Sequence, residues 1–272
     1  MIRMIGLDLD GTLLTRDKRV SEQNRLALEE AHRTGAVIVP VTGRPLSGIP
    51  RQVADLPFIR YLITSNGAVI TDREKGCAIR ERCMSKETAA SVLRIAEGEA
   101  VIREYFAGGA GFHDARTRDL LWKKFAGTPI LQYLEQSRVL VDNLYGSLMK
   151  REGAIENLSV MFASRKERDG AIEKLQKIKG INIILPMPTD IEVTSCEADK
   201  GDAMLALAAM LGLRREEVMA MGDGHNDLGL MKDAGLSVAM GNSNPEIIEA
   251  ADYMTEDNEH DGVALAIRRF VL

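Results

Sequence analysis

The sequence predicts an α/β protein: a doubly wound parallel sheet into which a separate α+β module is inserted. Three observations lead there. The N-terminal quarter alternates short apolar β-type runs with amphipathic stretches, the last third repeats that pattern, and the middle reads differently. Buried apolar runs separated by helical stretches mark parallel strands covered on both faces.

The elements follow in order. Arg3–Leu9 is an apolar strand that ends in acids and a glycine. Ser21–Thr34 places Leu26, Ala27, Leu28 and Ala31 at helical spacing, with Ser21 as N-cap and Gly35 as the stop. Ala36–Val41 and Tyr61–Thr64 are the next two buried strands of the same parallel sheet. Ser85–Ala96 then reads as a helix, Ala100–Ala107 as a strand, and Gly108-Gly109-Ala110-Gly111 as a flexible turn. Ser159–Ala163, Lys166–Ile178 and Ile181–Leu185 give strand, helix, strand, and Pro186 and Pro188 punctuate the exit. The inserted module is therefore placed at 84–188, and the core at 1–83 and 189–272. In the last third, Lys200–Leu211 is a helix, Val218–Met221 a strand, Asn226–Lys232 a helix and Leu236–Ala239 a strand. Asn244–Ala250 and Gly262–Phe270 are closing helices. Met204, Met210, Met219, Met221 and Met231 fall in these elements and read as core filler.

Composition narrows the function. With 272 residues, 45% hydrophobic and 28% charged, a sizeable core is expected and disorder is not. The net charge of −5 argues against nucleic acid as a partner, because nothing offsets repulsion from a phosphate backbone. Aromatics are only 4%, too few for a base-stacking platform. No apolar run approaches a membrane span, and acids interrupt Met1–Leu14 before any signal-peptide pattern. Three cysteines, Cys77, Cys83 and Cys196, lack metal-ligand spacing and read as free thiols in a reducing cytoplasm.

The chemistry sits at strand ends. Asp8 and Asp10 stand two residues apart where the first strand stops, so alternation turns both to one side. The carboxyl edge of an open α/β sheet is where such folds bind ligands. A second acidic group, Asp223, Asn226 and Asp227, lies among Gly222 and Gly224 after the strand Val218–Met221. Helix capping needs only one of these residues. Four carboxylates meeting at one edge repel unless a cation neutralises them, and a hard divalent ion such as Mg²⁺ suits that oxygen set. Thr42 and Arg44 follow one strand and Asn66 another, offering hydroxyl, guanidinium and amide donors. Lys200 opens a helix, where its charge opposes the macrodipole, so an anion to pair with is the better reason for it.

Taken together, Asp8-Leu9-Asp10-Gly11-Thr12-Leu13-Leu14, Thr42-Gly43-Arg44, Ser65-Asn66-Gly67-Ala68, Lys200-Gly201, Gly222-Asp223-Gly224-His225-Asn226-Asp227 and Asp261-Gly262-Val263-Ala264 resemble the motifs of the haloacid dehalogenase superfamily. The match is to its Cof-type phosphatases with a type IIB cap, and it covers essentially the whole chain. The resemblance implies a Rossmann-like core and an inserted cap acting as a lid. It implies Asp8 as nucleophile, Asp10 as acid and then base, and Thr42, Lys200 and Asn226 as phosphate-binding groups. It also implies Mg²⁺ held by Asp8, the Asp10 backbone carbonyl and Asp223, with Asp227 in direct contact or through water. Arg44 and Asn66 are substrate-binding candidates.

Substrate choice would fall to the module, with Arg103, Tyr105, His113, Trp122, Lys123 and Lys124 as candidates. Glu197 and Asp199, ahead of Lys200, depart from the usual approach to that lysine and read as exposed loop acids. The implied activity is hydrolysis of a small phosphorylated metabolite, a sugar phosphate foremost. The alternatives are phosphoryl transfer within a sugar, as in phosphosugar mutases, and a non-catalytic phospho-acceptor that binds without turnover.

Overall fold

The computed structural model describes residues 1–272, which divide into two compact units. The first comprises Met1–Gly43, Ile49–Glu81 and Asp199–Leu272; the second comprises Arg44–Gly48 and Arg82–Ala198.

The first unit is built on a five-stranded, all-parallel sheet. Its spatial order is Tyr253–Met254, Leu236–Ala239, Val218–Gly222, Met4–Leu7 and Val37–Pro40. Strand alternation divides its side chains between two cores. Ile5, Leu7, Ile38, Met219 and Met221 pack on one face with Ala27 and Leu28 of Glu22–Arg33 and with Val263 and Ile267 of Gly262–Phe270. Met4, Val39, Val218 and Ala220 pack on the other with Ala203, Met204 and Leu207 of Lys200–Met210 and with Leu230 and Met231 of Leu228–Asp233. Helices on both faces of a parallel sheet make the doubly wound α/β fold. Ser21 caps the first helix, its hydroxyl accepting from the Asn24 amide, and Gly35 follows with φ +96°. Met210 departs from its expected core role: it is 54% exposed at the end of its helix.

Tyr61–Thr64 extends the parallel sheet as the apolar pattern implies, and its far edge adds pairing that the pattern does not announce. It pairs antiparallel there with Val69–Asp72, which pairs with Cys77–Glu81, as a three-stranded sheet. It runs parallel to the strand before Thr42, through the Val41–Ile63 bridge and the Thr42 amide, which donates to the Ile63 carbonyl at 2.9 Å. The antiparallel partner comes from the turn Ser65–Gly67, whose three residues all take positive φ and fold the following strand, Val69–Asp72, back alongside. A Cβ on Gly67 would overlap the Asp199 carbonyl, so glycine is needed there.

The second unit holds a six-stranded sheet in the order Ile181–Ile184, Asp190–Ser195, Asn157–Met161, Ile102–Ala107, Ala110–Asp114, Arg138–Val141. All neighbours are antiparallel except the last pair. Gly108 and Gly109, both with positive φ, close the tight hairpin between Ile102–Ala107 and Ala110–Asp114. Helices Lys86–Ile95, Leu144–Lys150 and Arg165–Leu175 pack on one face over Tyr105, Phe112, Leu158, Val160 and Val193. The unit runs to Ala198 rather than Pro188, because Asp190–Ser195 is a strand between two others of this sheet. No helix of either unit is long and apolar enough to cross a membrane.

Candidate active site

Two strand ends and a helix start of the first unit bring together residues far apart in sequence. Met4–Leu7 lies beside Val218–Gly222 in register, so the segments that follow them, carrying Asp8 and Asp223, leave the sheet side by side. The Asp8 amide donates to the Met221 carbonyl at 3.0 Å, which fixes that exit. Carboxylate oxygens of Asp8, Asp223 and Asp227 all lie within 4.8 Å of one another.

Lys200 is the counter-charge. It is the first residue of its helix and 1% exposed, and its Nζ donates to Asp8 Oδ1 at 2.7 Å and to Asp227 Oδ1 at 2.6 Å. Asp199 is not merely a loop acid: it caps that helix, accepting from the Gly201 and Asp202 amides. Glu197 pairs with Arg82 at 3.5 Å within the second unit.

The remaining contacts lock the carboxylates in place. Asp227 Oδ2 accepts from the Asp223 and Gly224 amides, each at 3.0 Å. Asp223 Oδ1 accepts from the Thr12 hydroxyl at 3.0 Å. Its Oδ2 is 3.3 Å from Asn242 Nδ2, which also donates to the Gly11 carbonyl at 2.9 Å. Gly11 has φ +88°, and a Cβ there would overlap the Asp223 carboxylate. Asp10 stands apart from the three: its carboxylate meets Lys18 Nζ at 2.7 Å and is about a third exposed.

Electrostatics follow from this crowding. Burial raises the Asp8 carboxyl well above the ordinary range, Lys200 pulls it down, and Asp227, Asp223 and Asp10 push it up. Burial, then Asp227, pushes Asp223 up to about 7, against the Thr12 hydrogen bond and Lys200. Lys200 is itself held above its usual value, its burial outweighed by Asp227 and Asp8. At 4.8 Å, two carboxylates repel by about 3.5 kcal/mol at an effective dielectric of ~20. Were all three carboxylates ionised, the single ammonium would leave a formal double negative charge, and it is that repulsion, with burial, that lifts Asp8 and Asp223.

Of the expected donors, Asn226 and Asn66 meet, Nδ2 to Oδ1 at 3.0 Å. Thr42 is tied to the same loop through its carbonyl, which accepts from the Asn66 amide at 3.0 Å. Arg44 belongs to the second unit, where its guanidinium lies 4.2 Å from the Tyr133 ring centroid and donates to the Gly48 carbonyl. Lys18 and Asn242 were not singled out by the sequence. Lys18 carried no signal, whereas Asn242 stands just past Leu236–Ala239, another parallel strand end, where a donor could have been sought.

A family model described as haloacid dehalogenase-like hydrolase matches residues 5–267. The chain is 31% identical to the 5-amino-6-(5-phospho-D-ribitylamino)uracil phosphatase YcsE of Bacillus subtilis, covering 100% of this chain and 96% of the relative. It is also 31% identical to the putative phosphatase YxeH of that species, over 100% of this chain and 99% of the relative. Among solved structures, a haloacid dehalogenase-like hydrolase from B. subtilis superimposes with a TM-score of 0.87 at 28% identity, covering 99% of this chain and 100% of that one. One from Bacteroides thetaiotaomicron gives 0.85 at 27%, with 99% of both chains covered.

Proposed function

The chain belongs to the haloacid dehalogenase-like hydrolase family and is a phosphatase, and on that premise we propose that it hydrolyses small phosphate monoesters through an aspartyl-phosphate on Asp8. The observation that carries this reading is the placement of Asp8: buried, paired with Lys200, and crowded by Asp223 and Asp227.

Asp8 attacks phosphorus, and the bond from phosphorus to the leaving oxygen breaks. Asp10, not among the crowded acids, gives the leaving oxygen its proton. In the second half Asp10 takes a proton from the water that attacks the phospho-Asp8 intermediate, which releases inorganic phosphate and restores Asp8. Lys200 steadies charge on the phosphoryl oxygens, and Thr42 and Asn226 supply donors beside it. An all-oxygen donor set in which carboxylates outnumber the one ammonium fits Mg²⁺, which Asp8, Asp223, Asp227 and the Asp10 carbonyl would hold. When bound, Mg²⁺ supplies neutralisation of the charge that otherwise repels an incoming phosphate.

Sugar phosphates are the first substrate class. Two B. subtilis relatives, at 31% and 27% identity, are named for a phosphorylated ribitylamino-uracil, and an archaeal one at 26% for phosphoglycolate. Cys77, Cys83 and Cys196 form no disulfide with one another, which suits a reducing cytoplasm. The test is release of inorganic phosphate from p-nitrophenyl phosphate: present with Mg²⁺ and abolished by EDTA. Full activity in EDTA, or none with Mg²⁺, would end this reading.

A further inference from the structure

The chain leaves the candidate active site through a tight hairpin. Leu14 bridges antiparallel to Val20, and the Thr15 amide donates to the Arg19 carbonyl at 2.9 Å. The Lys18 amide donates back to the Thr15 carbonyl at 2.8 Å. This is the three-residue loop in which a type I turn is followed by one left-handed residue, a position that favours glycine. Lys18 occupies it, with φ +60°. Asn66 and Asp261, also at positive φ, are residue types whose short polar side chains tolerate that region; lysine has no such local compensation.

The turn is braced from outside. Gln52, in the short helix Arg51–Ala54, accepts from the Val20 amide at 3.0 Å and donates to the Lys18 carbonyl. The Arg16 amide donates to Glu259 Oε1 at 2.6 Å. So held, the hairpin brings Lys18 back to the loop that precedes it, where Nζ meets Asp10 Oδ1 at 2.7 Å. Stability does not explain the lysine. Both side chains are partly exposed, so their ion pair returns little, while the left-handed backbone has a cost that glycine would not incur. What lysine adds is a hold on Asp10.

We propose that Lys18 is a positioning residue, which fixes the orientation of the Asp10 carboxyl for proton delivery to the leaving oxygen. The proposal rests on the phosphatase reading above. Asp8 and Asp227 are held by Lys200, and Asp223 by Thr12, but Asp10 stands outside that crowded group. Proton transfer needs the donor within hydrogen-bond reach of the leaving oxygen. A carboxyl that turns about its side-chain bonds spends only part of its time there, and the ammonium on Oδ1 restricts that turning.

The experiment compares kcat/KM for p-nitrophenyl phosphate, whose phenolate leaves without a proton, with kcat/KM for glycerol phosphate, whose alkoxide does not. The ratio of the two is blind to the fraction of protein that is folded, so a merely structural lysine would not move it. Lys18→Gly and Lys18→Asn suit the turn and remove the charge; each should widen the ratio about tenfold by slowing glycerol phosphate. The Tm of Lys18→Gly should be no lower than that of wild type. Lys18→Arg keeps the charge and should stay within about threefold of the wild-type ratio. In the Asp10→Asn protein, adding Lys18→Gly should leave the ratio where Asp10→Asn alone puts it, since the two residues act as one unit. An unchanged ratio in the Gly and Asn variants, a widening that persists in the Asp10→Asn protein, or a Lys18→Gly protein that melts below wild type would each overturn the proposal and leave the phosphatase reading standing. A wild type that releases phosphate from neither ester would overturn that reading and this proposal together.

Discussion

Replacing Lys200 by methionine probes the balance of charge at the site. The side chain is buried and carries the ammonium that touches both Asp8 and Asp227, at 2.7 and 2.6 Å. Methionine fills a similar volume, so the packing loss is small and the electrostatic loss dominates. Removing one partner of a buried ion pair costs about 3–5 kcal/mol, because the other charge is left uncompensated. For a domain of this size, that is a fall in Tm of roughly 6–20 °C. Lys200 is also what holds the Asp8 carboxyl down against burial and three neighbouring acids, so its loss raises Asp8 further. A carboxyl whose folded-state value lies above its unfolded one binds its proton more tightly when folded. Stability is therefore gained as pH falls through the folded value toward the ordinary carboxylate range. The deficit of the variant against wild type is predicted to be full at pH 8 and to shrink toward pH 5, by differential scanning calorimetry in EDTA. A variant that melts with wild type at pH 8, or an equal deficit at both pH values, would refute the reasoning.

Three further outcomes follow from the same geometry. Asp10→Asn should slow turnover most for poor leaving groups, so sugar phosphates should lose more than p-nitrophenyl phosphate; equal losses would argue against proton donation by Asp10. Gly11→Ala puts a Cβ into the Asp223 carboxylate at a positive φ, and should raise the Mg²⁺ concentration for half-maximal activity about tenfold or more. Unchanged Mg²⁺ activation would show that the loop yields instead. Asp223→Asn should likewise weaken Mg²⁺ activation while leaving the metal-free protein no less stable, since burial and Asp227 already penalise that charge; a lowered Tm in EDTA would contradict this.

Much of the site was legible because each part is local. Asp8, Asp223 and Asp227 sit just past apolar strands, and neighbouring parallel strands must exit side by side, so strand ends alone predict their meeting. Lys200 was legible through its poor fit at a helix start. The illegible parts depend on how the chain returns. The Lys18 contact to Asp10 comes from a loop whose lysine adopts φ +60°, which no pattern announces. Asn242 reaches Gly11 across 231 positions. The fold shows the same division: the parallel sheet follows from its buried runs, whereas the antiparallel return of Val69–Asp72 against Tyr61–Thr64 depends on the turn at Ser65–Gly67. Asp190–Ser195 joined the second unit because two strands flank it there, information that Pro188 does not carry.

The proposed reaction turns on a covalent phosphoryl group at one position, Asp8. Rapid quenching of the protein with substrate and Mg²⁺, followed by borohydride reduction and mass spectrometry, converts a phosphorylated aspartate to homoserine. Homoserine at residue 8, absent when EDTA replaces Mg²⁺, is the predicted result; turnover that leaves residue 8 unmodified while another side chain carries the phosphoryl group would contradict it.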